Sequence, residues 1–253
     1  AGTESVDRRA HGGHPAGRLG RPVGPRNETV TGRVLHPKGR DVVAALFAMS
    51  AGPYHPSMTW PCTLETERLL LRPITRDDLD FYVRIHADPD VARYISTGAP
   101  RSRDASEQFI DSTIASYARY GRGQLAVVRK VDGALLGRCG LARLELMATP
   151  DGPTARAGWQ MLGGTPLGVP DAIEDELGYT FDRAAWGMGY AREAAAAVWA
   201  HARTTLGVRP VSMIHAENVR SLALARTFGV EFVDSVFSMG RVFDLFRWPE
   251  RSA

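Results

Sequence analysis

Apolar and polar positions follow two regimes along this chain, and the change comes near residue 60. Residues 1–60, with stretches such as "AHGGHPAGRLGRPVGPR", are rich in Gly, Pro and Arg and show no periodicity. They offer too little apolar surface to offset the entropy of ordering, so a disordered leader is expected. From Glu65 the pattern becomes regular. "TERLLLRPI" reads as a strand ended by Pro73. "TRDDLDFYVRIHA" opens with Thr75 three residues before Asp78, a capping-box-like start, and continues as a helix. Asp104 and Glu107 give a second such start, for a helix whose Ile110, Ile114 and Tyr117 share one face. "QLAVVRK" and "ALLGRCGLARLE" are strands joined by a hairpin at Asp132-Gly133. Residues 147–172 form a long Gly/Pro-rich inserted loop, a length often tied to function. There follow the strand "DELGYTF", a helix within "WGMGYAREAAAAVW", the strand "PVSMIHA", a short helix from Ser221 to about Phe228, and the strands "EFVDSVF" and "RVFDLFRW". Hairpins dominate first and helices intervene later, which predicts an α+β fold with one mixed central sheet flanked by helices.

Composition narrows the function classes. The chain has 253 residues, 44% apolar and 23% charged, as in a soluble globular protein. The net charge of +3 comes mostly from arginines spread along the chain, which reads as a solvated surface rather than a nucleic-acid footprint. Cys62 and Cys139 lie far apart and outside any CxxC, arguing against a disulfide scaffold or zinc site and for a reducing cytoplasm. His11, His14, His36 and His55 are irregularly spaced, and no metal is expected. No apolar run approaches the roughly 18 residues of a membrane span. "VVAALFAMSAG" is a short apolar run some forty residues in, the wrong place for a signal peptide. Residue 1 is not methionine and Met58 just precedes the regular pattern, so the leader reads as an over-long translation or part of something larger.

The candidate chemistry centres on Gly187 and Gly189. They follow a strand and precede a helix whose Ala191, Ala194, Ala195, Val198, Ala202 and Leu206 form a stripe, with Gly207 at its end. The first N–H groups of a helix lack internal partners, and glycines let a ligand approach the backbone. The turn therefore suits an anion such as a pyrophosphate; it equally suits a plain tight turn into a core helix. A Walker A loop is excluded because Gly-Lys-Ser/Thr is absent. A Rossmann fingerprint fails because its third glycine position is Arg192, the strand ends early and Glu217 lies too far along.

"WGMGYA" followed by "REA" resembles the acyl-CoA-binding turn R/Q-x-x-G-x-G/A of the GNAT acetyltransferases, with Trp186 in the first position, Gly189 in the fourth and Ala191 in the sixth. Tryptophan in place of Arg or Gln is similar to the RimJ/RimL-like branch. "LETERLLLRPITRDDLD" resembles the opening strand and helix of that branch, and "ELGYTF" its fourth strand. "ENVRSLALARTFGVEF" resembles its N-x-x-S segment, with the usual "LGF" changed to Phe228-Gly229-Val230. The resemblance covers about residues 64 to 248 and assigns residues 61–253 to a GNAT domain.

The resemblance implies acetyl transfer from acetyl-CoA, as co-substrate, to a primary amine: a protein N-terminus or a small-molecule amine. It is compatible with a homodimer. It implies cofactor contacts at Trp186, Gly187, Met188, Gly189, Tyr190 and Ala191, a backbone amide near Phe181 facing the thioester, and Asn218 on the pantetheine arm. Glu176 is the candidate base; alternation sets it on the face opposite Leu177, Tyr179 and Phe181, and a solvent-facing carboxylate beside Glu174 and Asp175 is the competing reading. Ser221 is the candidate to assist the departing thiolate, although either Asn218 or Ser221 could simply cap a helix. The tyrosine acid of many members falls at Ala225 here, which excludes it at that position. Arg183 and Arg192 are candidates for CoA phosphates or plain surface charges. Cys139 is expected to be inert core, and Trp159 and Met161 to pin the long loop or cover the acceptor site. An acyl-CoA-binding domain without catalysis is the alternative.

Overall fold

The computed structural model describes residues 62–157 and 170–250. The expected leader, its four histidines and Met58 lie outside these residues, as do Trp159 and Met161. Strands β1 (Leu64–Glu65) and β2 (Leu69–Pro73) lead through a 3-10 turn into helices α1 (Leu79–Ala87) and α2 (Pro89–Ala92). Helix α3 (Arg103–Tyr120), strands β3 (Gln124–Arg129), β4 (Leu135–Met147), β5 (Thr154–Ala157) and β6 (Ala172–Phe181) follow. Helix α4 (Tyr190–Thr204), strand β7 (Val211–Ile214), helix α5 (Val219–Arg226), and strands β8 (Glu231–Ser238) and β9 (Arg241–Arg247) complete the described part.

Local expectations hold where the signal is local. Asp78 accepts the Thr75 N–H at 2.9 Å, and Gly133 turns the β3–β4 hairpin at φ 70°. Three details differ. The cap of α3 is Ser102, whose hydroxyl accepts the Ala105 N–H at 3.2 Å, not Asp104. The buried face of α3 carries Phe109, Ile110, Thr113 and Tyr117, and Ile114 is 37% exposed, one step round the helix from that stripe. The Gly/Pro-rich span 147–172 contains β5, which pairs back on β4 from Met147↔Thr154 to Leu144↔Ala157. Its signal is tertiary: Ala155 is buried and Arg156 pairs with Glu145.

β1 to β4 are antiparallel neighbours, and β4 pairs along its length with β6, from Gly137↔Phe181 to Leu146↔Ala172. Beyond β6 come β7, β9 and β8, and β5 touches β8 at Thr154↔Phe237. Alternation divides the sheet into two faces. Leu69, Leu71, Leu125, Val127, Cys139, Leu141, Leu177 and Phe181 pack against Ala194, Ala195, Val198 and Ala202 of α4. The alanine stripe lets this helix lie close to the sheet. On the opposite face, Ile74 and Ala126 pack against Tyr82 and Ile85 of α1 and Phe109 and Ile110 of α3.

The C-terminal strands are tied to β6 by a buried ion pair. Arg247 of β9 donates to both carboxylate oxygens of Glu174 at 2.6 and 2.8 Å, and to the Arg209 carbonyl at 3.0 Å. Removing one partner leaves the other charge buried and unpaired. Glu174→Ala should therefore lower the unfolding free energy by about 3–5 kcal/mol in a urea titration. A loss below about 1 kcal/mol would show that this pair does not hold the strands together.

Candidate functional site

β6 and β7 run parallel yet pair only at Glu176↔Val211. Beyond that point they part, and every polar group that would have joined a ladder needs another partner. The Ser212 hydroxyl donates to the Leu177 carbonyl at 2.5 Å and accepts the Trp248 indole N–H at 2.9 Å. The Met213 N–H turns to the Glu176 carboxylate. On β6 the Asp182 N–H bonds the Leu136 carbonyl of β4. Strand alternation then aims the N–H groups of Tyr179 and Phe181 away from β4, into the gap. A cavity of about 200 Å³ fills the parting, bordered by Glu176, Gly178, Tyr179, Met213, Asn218 and Ser221.

Three successive carboxylates on β6 have three environments. Glu174 pairs with Arg247, and Asp175 pairs with Arg122 at 2.9 Å. Glu176 faces the cavity, with no cation at ion-pair distance among the described residues. Burial pushes its pKa above the ordinary glutamate value, against the opposing pull of Arg138 and the Met213 N–H. Glu176 is thus no solvated surface carboxylate. Gly178 lies two residues on, and the place its side chain would take is 3.6 Å from the Gln124 amide nitrogen and 4.0 Å from a Glu176 oxygen.

On the far wall Asn218 and Ser221 separate into different roles. The Asn218 side chain caps α5, accepting the Ser221 N–H at 3.2 Å. α5 thus begins two residues earlier than expected, and Ser221 is freed from capping. Its hydroxyl lies 2.9 Å from the Tyr179 hydroxyl, whose pKa burial pushes up to about 12. A tyrosine hydroxyl thus reaches Ser221 from β6, 42 residues away in sequence, rather than from position 225. Cys139 is buried, and burial raises its thiol pKa to about 12.

Gly187 and Gly189 adopt φ 77° and 79°, conformations that L side chains rarely take. Gly189 is the N-cap of α4 and supplies no capping side chain, so the first helical N–H groups point outward. Arg68 holds this turn in place: it donates to the Met188 carbonyl at 3.1 Å, pairs with Glu193 at 2.7 Å and stacks 4.7 Å from the Tyr190 ring. Trp186 donates its indole N–H to the Phe181 carbonyl at 3.0 Å, and Arg220 of α5 lies 4.8 Å over its ring. The turn from Trp186 to Ala191 is thereby tied to the end of β6 and the start of α5. Phe181 places its side chain in the core beneath α4 rather than in the cavity. Arg183 is engaged with Asp90 at 2.7 Å, whereas Arg192 is exposed on the first turn of α4. Arg68 had no local sequence signal; its partners lie some 120 residues away.

Comparison with known proteins gives this arrangement a context. The pattern of the acetyltransferase (GNAT) domain family matches residues 68–231. A Bacillus licheniformis protein described as the uncharacterized N-acetyltransferase p20 is 24% identical over 193 residues, covering 73% of this chain and 93% of its own. An acetyltransferase structure from Agrobacterium tumefaciens str. C58 superimposes with TM-score 0.56 at 24% identity, covering 78% of this chain and 99% of its own. RimL, a ribosomal L7/L12 alpha-N-protein acetyltransferase solved in complex with coenzyme A, superimposes with TM-score 0.53 at 13% identity, covering 74% and 96%. The matched span contains β2 through α5, and so both walls of the cavity and the glycine turn: the chain belongs to the GNAT acetyltransferase family and is an N-acetyltransferase.

Proposed function

We propose that residues 61–253 form a catalytic domain that transfers the acetyl group of acetyl-CoA directly to a primary amine, and that the reaction takes place where β6 and β7 part. The observation that carries this reading is a cavity at the strand parting that is bordered by Glu176, Asn218 and Ser221, together with the uncapped start of α4, whose Trp186 is tied to the end of β6 and to α5. In this reading the pyrophosphate rests on the N–H groups from Gly187 to Ala191, with Trp186, Met188 and Tyr190 shaping the turn. The pantetheine arm passes Asn218. The thioester oxygen faces the N–H groups of Tyr179 and Phe181, and backbone donors aimed at a developing oxyanion are worth about 3–4 kcal/mol.

Glu176 takes a proton from the acceptor ammonium, directly or through water. The free amine attacks the thioester carbonyl and the C–S bond breaks; the thiolate takes the Ser221 hydroxyl proton, and the proton shed by the new amide nitrogen restores that hydroxyl, which stays in contact with Tyr179. A raised pKa suits Glu176 to this task, since a base of ordinary glutamate strength is weak near neutral pH. The protein N-terminus named for RimL is one acceptor of the required kind, and a small-molecule amine is another. Both cysteines are free thiols, which supports a cytoplasmic setting.

Saturating acetyl-CoA, at 100 times its dissociation constant, should stabilise the folded chain by about 2.7 kcal/mol in thermal unfolding. No shift in a folded sample would return the glycine turn to an ordinary turn. Stabilisation without CoA release over a broad amine panel would favour an acyl-CoA binder lacking catalysis.

Glu176→Gln should slow transfer at neutral pH by about 10²-fold or more while leaving acetyl-CoA binding intact. The same change should stabilise the fold. A carboxylate whose folded pKa is raised loses stability as pH climbs through that value, so the variant's advantage should grow above the ordinary glutamate range. Unchanged turnover would remove Glu176 from the mechanism. Ser221→Ala should also slow transfer with acetyl-CoA binding preserved; full activity would leave Ser221 only as a partner of Tyr179.

A further inference from the structure

The α3 side of the same cavity carries charge that the transfer reaction does not use. Arg138 of β4 and Arg101, just before α3, both border it. Neither guanidinium is within ion-pair distance of a carboxylate among the described residues. Arg101 donates to the Ser96 hydroxyl at 2.6 Å. Arg138 has its Nε buried without a hydrogen-bond partner. Both lie against one aromatic ring, Phe109, at 5.9 and 5.3 Å. The carboxylate that Arg138 feels in this cavity, Glu176, lies beyond ion-pair distance, so two cations sharing a partly buried wall are costly unless a further anion joins them. Their potential reaches a neighbour: burial, with Arg101 and Arg138 adding to it, pushes His86 down to about 3.

Further unsatisfied polar atoms border the same space. Thr180 Oγ1 and Gln124 Oε1 are buried without hydrogen-bond partners. Their placement is polarised. Thr180 lies directly opposite Arg138 across the β4–β6 ladder, so hydroxyl and guanidinium form a donor-rich end. At the other end Glu176 supplies a carboxylate and Gln124 an unpartnered Oε1, and the Gln124 amide nitrogen and a Glu176 oxygen lie nearest Gly178. The two ends are four residues apart along β6, or about 13 Å between backbones at about 3.3 Å per residue. Gly178, between the two ends on the same face of β6, presents no side chain.

We propose that this cavity selects an amine acceptor that also bears a carboxylate, binding its ammonium between Glu176 and Gln124 and its carboxylate on Arg138 and Arg101. The assignment rests on the acetyl-transfer reading above and names its substrate class. Such a carboxylate has two sources: the α-carboxylate of a free amino acid, or the acidic side chain of a peptide's N-terminal residue.

The test uses the full chain with acetyl-CoA and reads CoA release. One arm compares L-amino acids with their carboxamides. A second compares C-terminally amidated peptides that begin with Asp or Glu against those that begin with Asn or Gln. In at least one arm the carboxylate form should show kcat/KM higher by about tenfold or more, and the responding arm identifies the source. Arg138→Gln and, separately, Arg101→Gln should raise KM for that acceptor about tenfold and collapse the acid-to-amide preference. The KM for acetyl-CoA and its thermal stabilisation should stay unchanged, which also shows that each variant is folded.

Amides turned over as well as acids, or a preference that survives both substitutions, would overturn the proposal. So would acetyl-CoA binding with no turnover of any carboxylate-bearing amine in either arm. Failure of acetyl-CoA itself to bind would be a different result, sinking the acetyl-transfer reading and this inference with it.

Discussion

Everything at the centre of this molecule depends on how two parallel strands are allowed to separate. β6 and β7 touch at one residue pair and then diverge. In a protein interior, separated strands leave donors and acceptors that must be satisfied or exposed to something polar. Here the Ser212 hydroxyl replaces a ladder bond on the Leu177 carbonyl, the Trp248 indole locks that hydroxyl, and the Met213 N–H turns to Glu176. The Tyr179 and Phe181 N–H groups are left facing the gap, the donors that the proposed reaction would use. The strands are kept from drifting further by Glu174 and Arg247, a buried pair just before the parting.

The same gap organises the electrostatics. Glu174 and Asp175 are each neutralised by an arginine, one on β9 and one just before β3. Glu176 is left as the carboxylate with cavity exposure, and burial rather than a neighbouring anion lifts its pKa. In the proposed reaction function and stability conflict at this residue, since ionisation is costly to the fold and necessary to a base.

The glycine turn shows how local and distant constraints combine. Positive φ at Gly187 and Gly189 excludes ordinary side chains, and that restriction can be read from the letters. What holds the turn at a defined place is Arg68, reaching from β1–β2 to Met188 and Glu193, together with Trp186 bonded back to Phe181. Without those ties a glycine pair at a helix start is only a flexible joint.

Periodicity, turn chemistry and alternation sufficed to reveal the α+β class, the order of strands and helices, the alanine face of α4, the hairpin at Asp132-Gly133 and the orientation of Glu176 away from the α4 core. Each of these depends on neighbours within a few residues, where the 2.0 and 3.6 periods apply directly. The cap of α3 at Ser102 and the strand β5 escape a local reading because each is decided by a competing partner, a hydroxyl two residues earlier and an edge of β4; at α5 the sequence offers Asn218 and Ser221 as caps, and the Asn218 side chain takes the role. Arg138, enclosed in "LLGRCG", carried a signal as a charge inside an apolar strand, but nothing in that stretch says what it faces. Tertiary structure alone brought Tyr179 to Ser221, and Arg138, Arg101 and Thr180 to one wall, because those contacts join residues 37 to 79 positions apart, and no local period encodes a distance across a fold.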